Sequence, residues 1–300
     1  KNDLCVFASA AFRPKLGYSK LKNEAQERRN RKDCGEDAFF ISTSFSTQPS
    51  QNDNTERVCA IGIADGVGGY SNMGVDPSIM AWALMEESQL ALDNNANISP
   101  YNALIEAYEK IRRENLVECG GSTACVLLMS KGKDDAGNHV LKLQSTNLGD
   151  SAFMIIRDGK IVYRSVEQTH FWNCPLQMCV PPKHVADVFQ DHPREADTLP
   201  VPFDLRVGDV VIAATDGLTD NVFDEKIAEI VQSNLDKHSD HSADITGTIA
   251  QSILDFAVQQ ATSRTSYTPF QKYAQENRYL YKGGKQDDIS LVVARIYESE

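Results

Sequence analysis

The feature that most constrains this chain is the placement of acidic residues at the ends of apolar, strand-like runs. Four separate stretches show it, and glycine stands next to the acid in all but the last. In two stretches the acid follows its run, and in the other two it precedes it. Because antiparallel strands run in opposite directions, pairing would bring every acidic end to one edge of a sheet. The stretches are GEDAFFI (35–41), AIGIADGVGG (60–69), VVIAATDGLTD (210–220) and GKQDDISLVVARI (284–296).

Carboxylates crowded at one sheet edge repel one another unless cations lie between them. An all-oxygen ligand set favours hard ions such as Mg2+, Mn2+ or Ca2+ over zinc or copper. An Asp-Gly pair such as Asp65-Gly66 or Asp216-Gly217 also has an ordinary interpretation as a surface turn, since both residues are strong turn formers. A wholly apolar strand leading into the acid favours an interior site. The sequence therefore predicts a divalent-metal enzyme.

Composition bounds the partners of the chain. Its 300 residues are 41% apolar and contain no Pro/Gly/Ser-rich linker between apolar segments, which favours one domain over residues 1–300. The formal charge of −12 argues against nucleic acid as a partner. No stretch approaches 18 consecutive apolar residues, so no membrane span is predicted. The seven cysteines include no Cys-x-x-Cys pair, which favours a reducing compartment over a disulfide framework or a zinc ribbon.

One segment departs from the acidic balance. Residues 13–32 contain eight basic residues and two glutamates, and we interpret most of the segment as a solvated loop. Its end nearest Glu36 is the exception, because a cation beside a metal site can bind an anionic substrate group.

The order of elements favours an α+β fold. Two helical stretches follow the first strands and two more follow the later ones, so we expect a four-layer α-β-β-α sandwich of two antiparallel sheets, each covered by a helix pair. Residues 43–56 are predicted to form an exposed hairpin loop, and the proline-bearing residues 168–197 a functional flap. The predicted strands are 4–12, one beginning near 37, 58–64, 122–129, 140–147, 152–157, 160–164, 209–215 and 289–297, and the predicted helices are 77–92, 101–116, 223–235 and 244–262.

The signatures of several other enzyme classes are absent from the sequence. There is no Gly-x-Ser-x-Gly, no His-Glu-x-x-His and no Walker lysine loop, and GVGGY does not have the dinucleotide-binding spacing. Neither Asp-Gly site has the hydroxyl residue that aspartic proteases need. These absences agree with hydrolysis without a side-chain nucleophile, in which paired hard metal ions activate water for phosphoryl displacement.

Six motifs identify a family. GEDA, ADGVGG, GGSTA (120–124), LGDS (148–151), TDGLTD and KQDDIS occur in this order, and the chain thereby resembles the metal-dependent type 2C serine/threonine protein phosphatases. The resemblance implies the same sandwich fold and hydrolysis of phosphoserine and phosphothreonine by water activated between two Mn2+ or Mg2+ ions. DGVGGY together with QTHFWNCPLQ (168–177) is most similar to the mitochondrial subgroup linked to coenzyme Q biosynthesis. That implies phosphoprotein substrates, a coenzyme Q biosynthesis protein among them, and a mitochondrial matrix location, with the targeting segment outside this sequence.

The same resemblance assigns roles to individual residues. It makes Asp65 the carboxylate that bridges the two metals, and it gives the cation that binds the substrate phosphate as Lys32 or its neighbour Arg31. For Asp150, an ordinary Gly-Asp turn stays open as the alternative. The metal ligands it implies are Glu36 for the second metal, Asp216 and Asp287 for the first, the Gly66 carbonyl for one of the two directly or through water, Asp37 through metal-bound water, and Asp150 for the weaker third metal of some members.

Two positions depart from the family pattern. Many members carry arginine where this chain has Lys32, and lysine lacks the two-pronged geometry of a guanidinium. The histidine of DGHGG, sometimes assigned as the general acid, is Val67 here. His170 is a formal replacement, although a lone histidine on a flap is more often a structural hydrogen bonder.

Two other classes of function stay open. A catalytically silent type 2C-like binding module would keep the fold and need not hold two ions. A calcium-stabilised structural domain would normally contain a contiguous calcium loop, which the sequence lacks.

Overall fold

The computed structural model describes residues 3–15, 31–45, 56–183, 189–238 and 244–299. Most of the basic segment 13–32, most of the predicted loop 43–56 and His184 of the flap lie outside these ranges. In chain order the strands are β1 (Leu4–Arg13), β2 (Asp37–Ser42), β3 (Arg57–Asp65), β4 (Gly120–Ser122), β5 (Ala124–Lys133), β6 (His139–Leu148), β7 (Ala152–Arg157), β8 (Lys160–Arg164), β9 (Thr169–Phe171), β10 (Cys174–Pro175), β11 (Met178–Val180), β12 (Phe203–Leu205), β13 (Val210–Ala214) and β14 (Ile289–Glu298). The α-helices are α1 (Ser78–Asn94), α2 (Pro100–Glu114), α3 (Asp216–Thr219), α4 (Asp224–Lys237), α5 (Thr246–Thr262) and α6 (Pro269–Glu276).

Two antiparallel sheets form the centre of the fold. One has the strand order β12-β6-β5-β3-β2 and the other β1-β14-β13-β7-β8. Their inner faces share one apolar core, in which Ile61 and Leu127 of the first sheet lie with Phe153 and Val292 of the second. Along β5, successive apolar residues alternate between this core (Leu127) and the face that meets the helices (Val126), as expected for a sheet buried on both faces.

Each outer sheet face is covered by a helix pair. Helices α1 and α2 pack on the first sheet, with Met80 and Leu104 against Val126 of β5. Helices α4 and α5 pack on the second, where Ile227 and Ile253 belong to the same core as strands β13 and β14. The α+β four-layer sandwich predicted from the order of elements is therefore confirmed.

The capping signal of α2 is also confirmed. The Ser99 side chain accepts a hydrogen bond from the Asn102 N–H at 3.2 Å, and Pro100 occupies the first turn. Helix α6 was missed, although Thr268 caps it in the same way and Pro269 begins it. At eight residues, its apolar pattern is too short to stand out in the sequence.

Two other segments differ from the expectation. The single strand predicted over 122–129 is divided at Thr123, whose N–H donates to the Asp65 carbonyl at 2.9 Å. The flap is less irregular than predicted, because β9 pairs with β10, and β11 pairs with β4.

All seven cysteines are free thiols. Within the described ranges, no helix combines the length and the apolar character that crossing a bilayer requires.

Candidate metal centre and active site

Strand register brings the acidic stretches together. Strands β2 and β3 pair with Asp37 opposite Asp65. In the other sheet, Ala214 at the end of β13 lies opposite Leu291 near the start of β14, so Asp216 and Asp287 follow at that same end. The four acidic stretches meet where the sequence placed them, at one edge of the two packed sheets.

Hydrogen bonds between the two sheets fix this edge. The Thr215 hydroxyl, from the end of β13, donates to Asp37 Oδ2 at 3.0 Å. Asp288 Oδ2 accepts from the Glu36 N–H at 3.1 Å, and the Asp288 side chain is 2% exposed. The backbone that carries Glu36 and Asp37 is thus held by residues from the opposite sheet.

The backbone of Asp65 is held on both sides. Its N–H donates to Thr123 Oγ1 at 3.0 Å, and its carbonyl accepts from the Ser122 hydroxyl at 2.8 Å. Gly66 follows, and a Cβ there would lie 2.4 Å from the Pro77 carbonyl oxygen and 2.7 Å from that of Glu36. Only glycine fits this close backbone approach.

Burial and mutual repulsion make these carboxylates difficult to ionise. The pKa of Asp65 is raised well above its usual value by burial and by the negative charges of Asp37, Asp216, Asp287 and Asp150. The pKa of Asp37 is raised by burial and by Asp288, and that of Asp150 by burial and by Asp216. Such shifts are typical of sites where protein groups alone do not balance the charge.

Two lysines bind to the cluster. Lys285 Nζ lies 2.5 Å from Asp216 Oδ2, 2.6 Å from Asp220 Oδ2 and 3.2 Å from Asp287 Oδ2. Burial alone would raise the pKa of Asp216, but the Lys285 charge and hydrogen bonds outweigh it, so this pKa is lowered. Lys15 Nζ lies 2.6 Å from Glu36 Oε2 and 3.3 Å from Asp288 Oδ2, so both lysines neutralise part of the acidic edge.

The donor set fits hard divalent cations. Asp37 Oδ1 and Asp216 Oδ1 are buried and have no hydrogen-bond partner among the described residues. The crowded ligands are all oxygens, which is the chemistry that Mg2+ and Mn2+ prefer. In the part of the chain that the structure describes, no three Asp, Glu, His or Cys side chains already converge at metal-ligand spacing, since the acids are turned toward the two lysines.

A cavity of about 300 Å³ opens beside these acids. Its lining residues include Asp150, Asp216 and Asp220 together with Trp172 and Phe270. The rings of Trp172 and Phe270 lie 5.2 Å apart between centroids. Asp150 therefore faces the same space as the acids of the predicted metal centre.

The two candidate phosphate-binding residues have different surroundings. Arg31 donates from Nε and Nη2 to both Glu86 oxygens at 2.7 and 2.8 Å and lies over the Trp82 ring, with its side chain 8% exposed. Lys32 is exposed. The guanidinium of Arg31 is thus engaged by α1, whereas the Lys32 side chain faces solvent.

His170 has a structural environment. Its Nε2 lies 2.8 Å from Asp191 Oδ2, and its ring stacks on Phe189 with centroids 4.1 Å apart. Asp191 Oδ2 also accepts from the Gln177 N–H at 2.8 Å. The histidine therefore joins two parts of the flap.

Sequence reasoning missed several residues of the site. Asp220 and Asp288 stand inside quoted motifs but received no role, and Thr123 was interpreted as an ordinary strand residue. Lys15 was counted only as part of a basic loop, and Lys285 only as a flanking letter of KQDDIS. Asp220 and Asp288 could have been found from the sequence, because each lies within four residues of a predicted metal ligand. The contacts of Lys15 and Lys285 depend on tertiary structure and leave no such local signal.

The chain is similar to several known proteins in sequence and in fold. Residues 22–175 match the family model "Protein phosphatase 2C". The chain is 33% identical to "Protein phosphatase PTC7 homolog" of Danio rerio over 267 residues, which cover 88% of this chain and 82% of that protein. Among solved structures, the photosystem II phosphatase PBCP aligns with a TM-score of 0.68 at 20% identity, covering 97% of this chain and 98% of that one. The catalytic domain of the serine/threonine phosphatase PstP, solved in complex with two manganese ions, aligns with a TM-score of 0.55 at 16% identity, covering 98% and 100%.

A two-sheet sandwich with converging acids at one edge defines a metal-dependent phosphoester hydrolase class. The chain belongs to the protein phosphatase 2C family of metal-dependent serine/threonine protein phosphatases. The predicted family is confirmed, and the subgroup predicted from DGVGGY and QTHFWNCPLQ is confirmed as that of the PTC7 homologues.

The anchoring of Asp65 by Thr123 gives a matched test. Thr123 and Thr146 are both buried, at 1% and 0% exposure, but Thr146 Oγ1 has no hydrogen-bond partner in the described part of the chain. We expect Thr123→Val to lower the free energy of unfolding by about 1–3 kcal/mol, because the Asp65 N–H loses its acceptor and the buried Ser151 hydroxyl loses its partner. Thr146→Val should change it by less than about 0.5 kcal/mol or stabilise the protein. Urea unfolding of both variants measures this, and equal losses would contradict the anchoring role.

Proposed function

We propose that this chain hydrolyses phosphoserine and phosphothreonine in proteins at the acidic edge formed by β2, β3, β13 and β14. The observation that supports it most is the convergence of Asp37, Asp65, Asp216 and Asp287 in a chain of this family. A single catalytic domain over residues 1–300 is part of the proposal.

We propose the same metal ligands that the family resemblance implies. Glu36, Asp65, Gly66, Asp216 and Asp287 would hold two Mn2+ or Mg2+ ions, with Asp37 acting through water. When bound, such ions lower the pKa of water and neutralise phosphate charge. The protein's own part is positioning: Thr123 and Ser122 fix the Asp65 backbone, Thr215 orients Asp37, and Asp288 holds the Glu36 backbone.

The protein offers a control within its own Asp-Gly dipeptides. We expect Asp65→Asn to lower kcat/KM on a phosphopeptide with Mn2+ more than about 100-fold, because loss of a ligand charge weakens metal binding. Asp158→Asn changes the same dipeptide at an exposed turn with φ of 49°, which asparagine tolerates, and should leave turnover unchanged. A chelator should abolish the activity of the unaltered chain.

Near-normal turnover by Asp65→Asn would reject the scheme. No turnover by the unaltered chain, with or without Mn2+, would instead support the silent binding module.

Phosphate binding is assigned to Lys32, since Glu86 already engages the Arg31 guanidinium. Lys32→Ala should raise KM about tenfold with little change in kcat. Lys133→Ala, at an exposed lysine on the far end of β5, is the matched control. Arg31→Ala should lower the free energy of unfolding by about 1–2 kcal/mol through loss of the Glu86 pair, with KM unchanged. A raised KM in Arg31→Ala at unchanged stability would transfer the phosphate role to Arg31.

The subgroup resemblance supports a finer proposal. We place the chain in the mitochondrial matrix, acting on phosphoproteins that include one of coenzyme Q biosynthesis. A tagged full-length protein should fractionate with the matrix, and its loss should raise phosphorylation of coenzyme Q biosynthesis proteins there. Unchanged phosphorylation of those proteins would contradict the substrate assignment.

A further inference from the structure

Lys285 occupies an unusual position for a charged side chain. Its side chain is 17% exposed, its Nζ lies between the carboxylates of Asp216 and Asp220, and the Phe270 ring centroid is 5.1 Å away. These short contacts, 2.5 and 2.6 Å, are with two acids that line the cavity together with Asp150. The contact with Asp287 is longer, at 3.2 Å, and Asp65 is not among the ion-pair partners of Lys285.

The backbone of Lys285 is fixed independently of its charge. The Asn221 amide accepts from the Lys285 N–H and donates to the Lys285 carbonyl, both at 2.9 Å, and Asn221 is 2% exposed. A Cβ at Gly284 would lie 2.1 Å from the Gln260 carbonyl oxygen, so glycine is required for the loop to approach α5. The loop backbone therefore positions the Lys285 ammonium group beside Asp216 and Asp220.

The two oxygens of Asp216 have different partners. Oδ2 binds Lys285, whereas the buried Oδ1 has no hydrogen-bond partner in the described ranges. One carboxylate can therefore bind the lysine with one oxygen and a divalent cation with the other. Asp220, one turn further along the chain at the end of α3, also binds Lys285 with its Oδ2.

We propose that Lys285 is a resident cation that takes the place of a third divalent ion between Asp216 and Asp220, so that this chain binds two divalent ions. A third ion there would need the oxygens that the ammonium already binds, and would be repelled by its charge. Lys285 is a positioning residue in this role, since it holds Asp216 and Asp220. The inference rests on the proposed function and replaces the expectation that Asp150 contributes to a third metal.

The test counts ions on the metal-free full chain by equilibrium dialysis against Mn2+, with free Mn2+ measured by electron paramagnetic resonance. The unaltered chain should bind two ions. Lys285→Met keeps the length of the side chain without its charge and should bind three, and Lys285→Met with Asp220→Asn should return to two. Lys282→Met, at an exposed lysine in the same loop, is the matched control and should bind two.

Three ions on the unaltered chain, or two on a folded Lys285→Met, would overturn the inference. One ion on the unaltered chain and two on Lys285→Met would also overturn it, because the lysine would then replace a member of the metal pair. If Lys285→Met does not fold, the unaltered chain is compared with Asp220→Asn alone. Two ions bound by each of these proteins support the inference. Three ions on the unaltered chain and two on Asp220→Asn overturn it. Two bound ions without phosphopeptide turnover would leave this inference standing and reject the proposed function.

Discussion

Repulsion between carboxylates at the ends of buried strands is the interaction on which the rest of this structure depends. The apolar strands β3 and β13 are buried in the core; β3 ends at Asp65, and Asp216 follows two residues after the end of β13. A buried carboxylate without a partner is strongly unfavourable. Hydroxyl and amide donors from the opposite sheet, together with the Lys15 and Lys285 ammonium groups, stabilise the buried carboxylates. Since a cation that binds only the folded chain stabilises it, the same repulsion couples metal binding to folding.

The parts of this site that the sequence could predict are those fixed by local pattern. Apolar runs of strand length gave β3, β13 and β14, and the direction of antiparallel strands then placed their acids at one edge. The lysines could not be found in this way. Lys285 lies 69 and 65 residues from Asp216 and Asp220, and Lys15 lies 272 residues from Asp287. Such pairs are determined by packing of the two sheets, about which local periodicity carries no information.

The three Asp-Gly dipeptides show how little that pair means by itself. All three follow an apolar strand, yet Asp158-Gly159 is an exposed turn between β7 and β8, with positive φ at both residues. The difference lies in the preceding residue. Arg157 stands before Asp158 and forms two hydrogen bonds with Asp209 at 2.7 and 2.6 Å, which marks the solvent end of β7. Ala64 and Thr215, which precede the other two aspartates, are 0% exposed, so those strands stay buried up to the acid.

Because Val67 stands where the DGHGG pattern has a histidine, another group has to protonate the departing alkoxide. Val67 contributes its backbone, with its N–H donating to the Gly121 carbonyl at 2.9 Å. His170 would have to give up both its Asp191 contact and its stacking on Phe189 to reach the acidic edge. His192 is also held within the flap, because its Nδ1 accepts from the Arg194 N–H at 3.1 Å in the cap of a short turn. The flap histidines that the structure describes therefore serve the flap's own structure, and the proton is left to water or to an acid at the sheet edge.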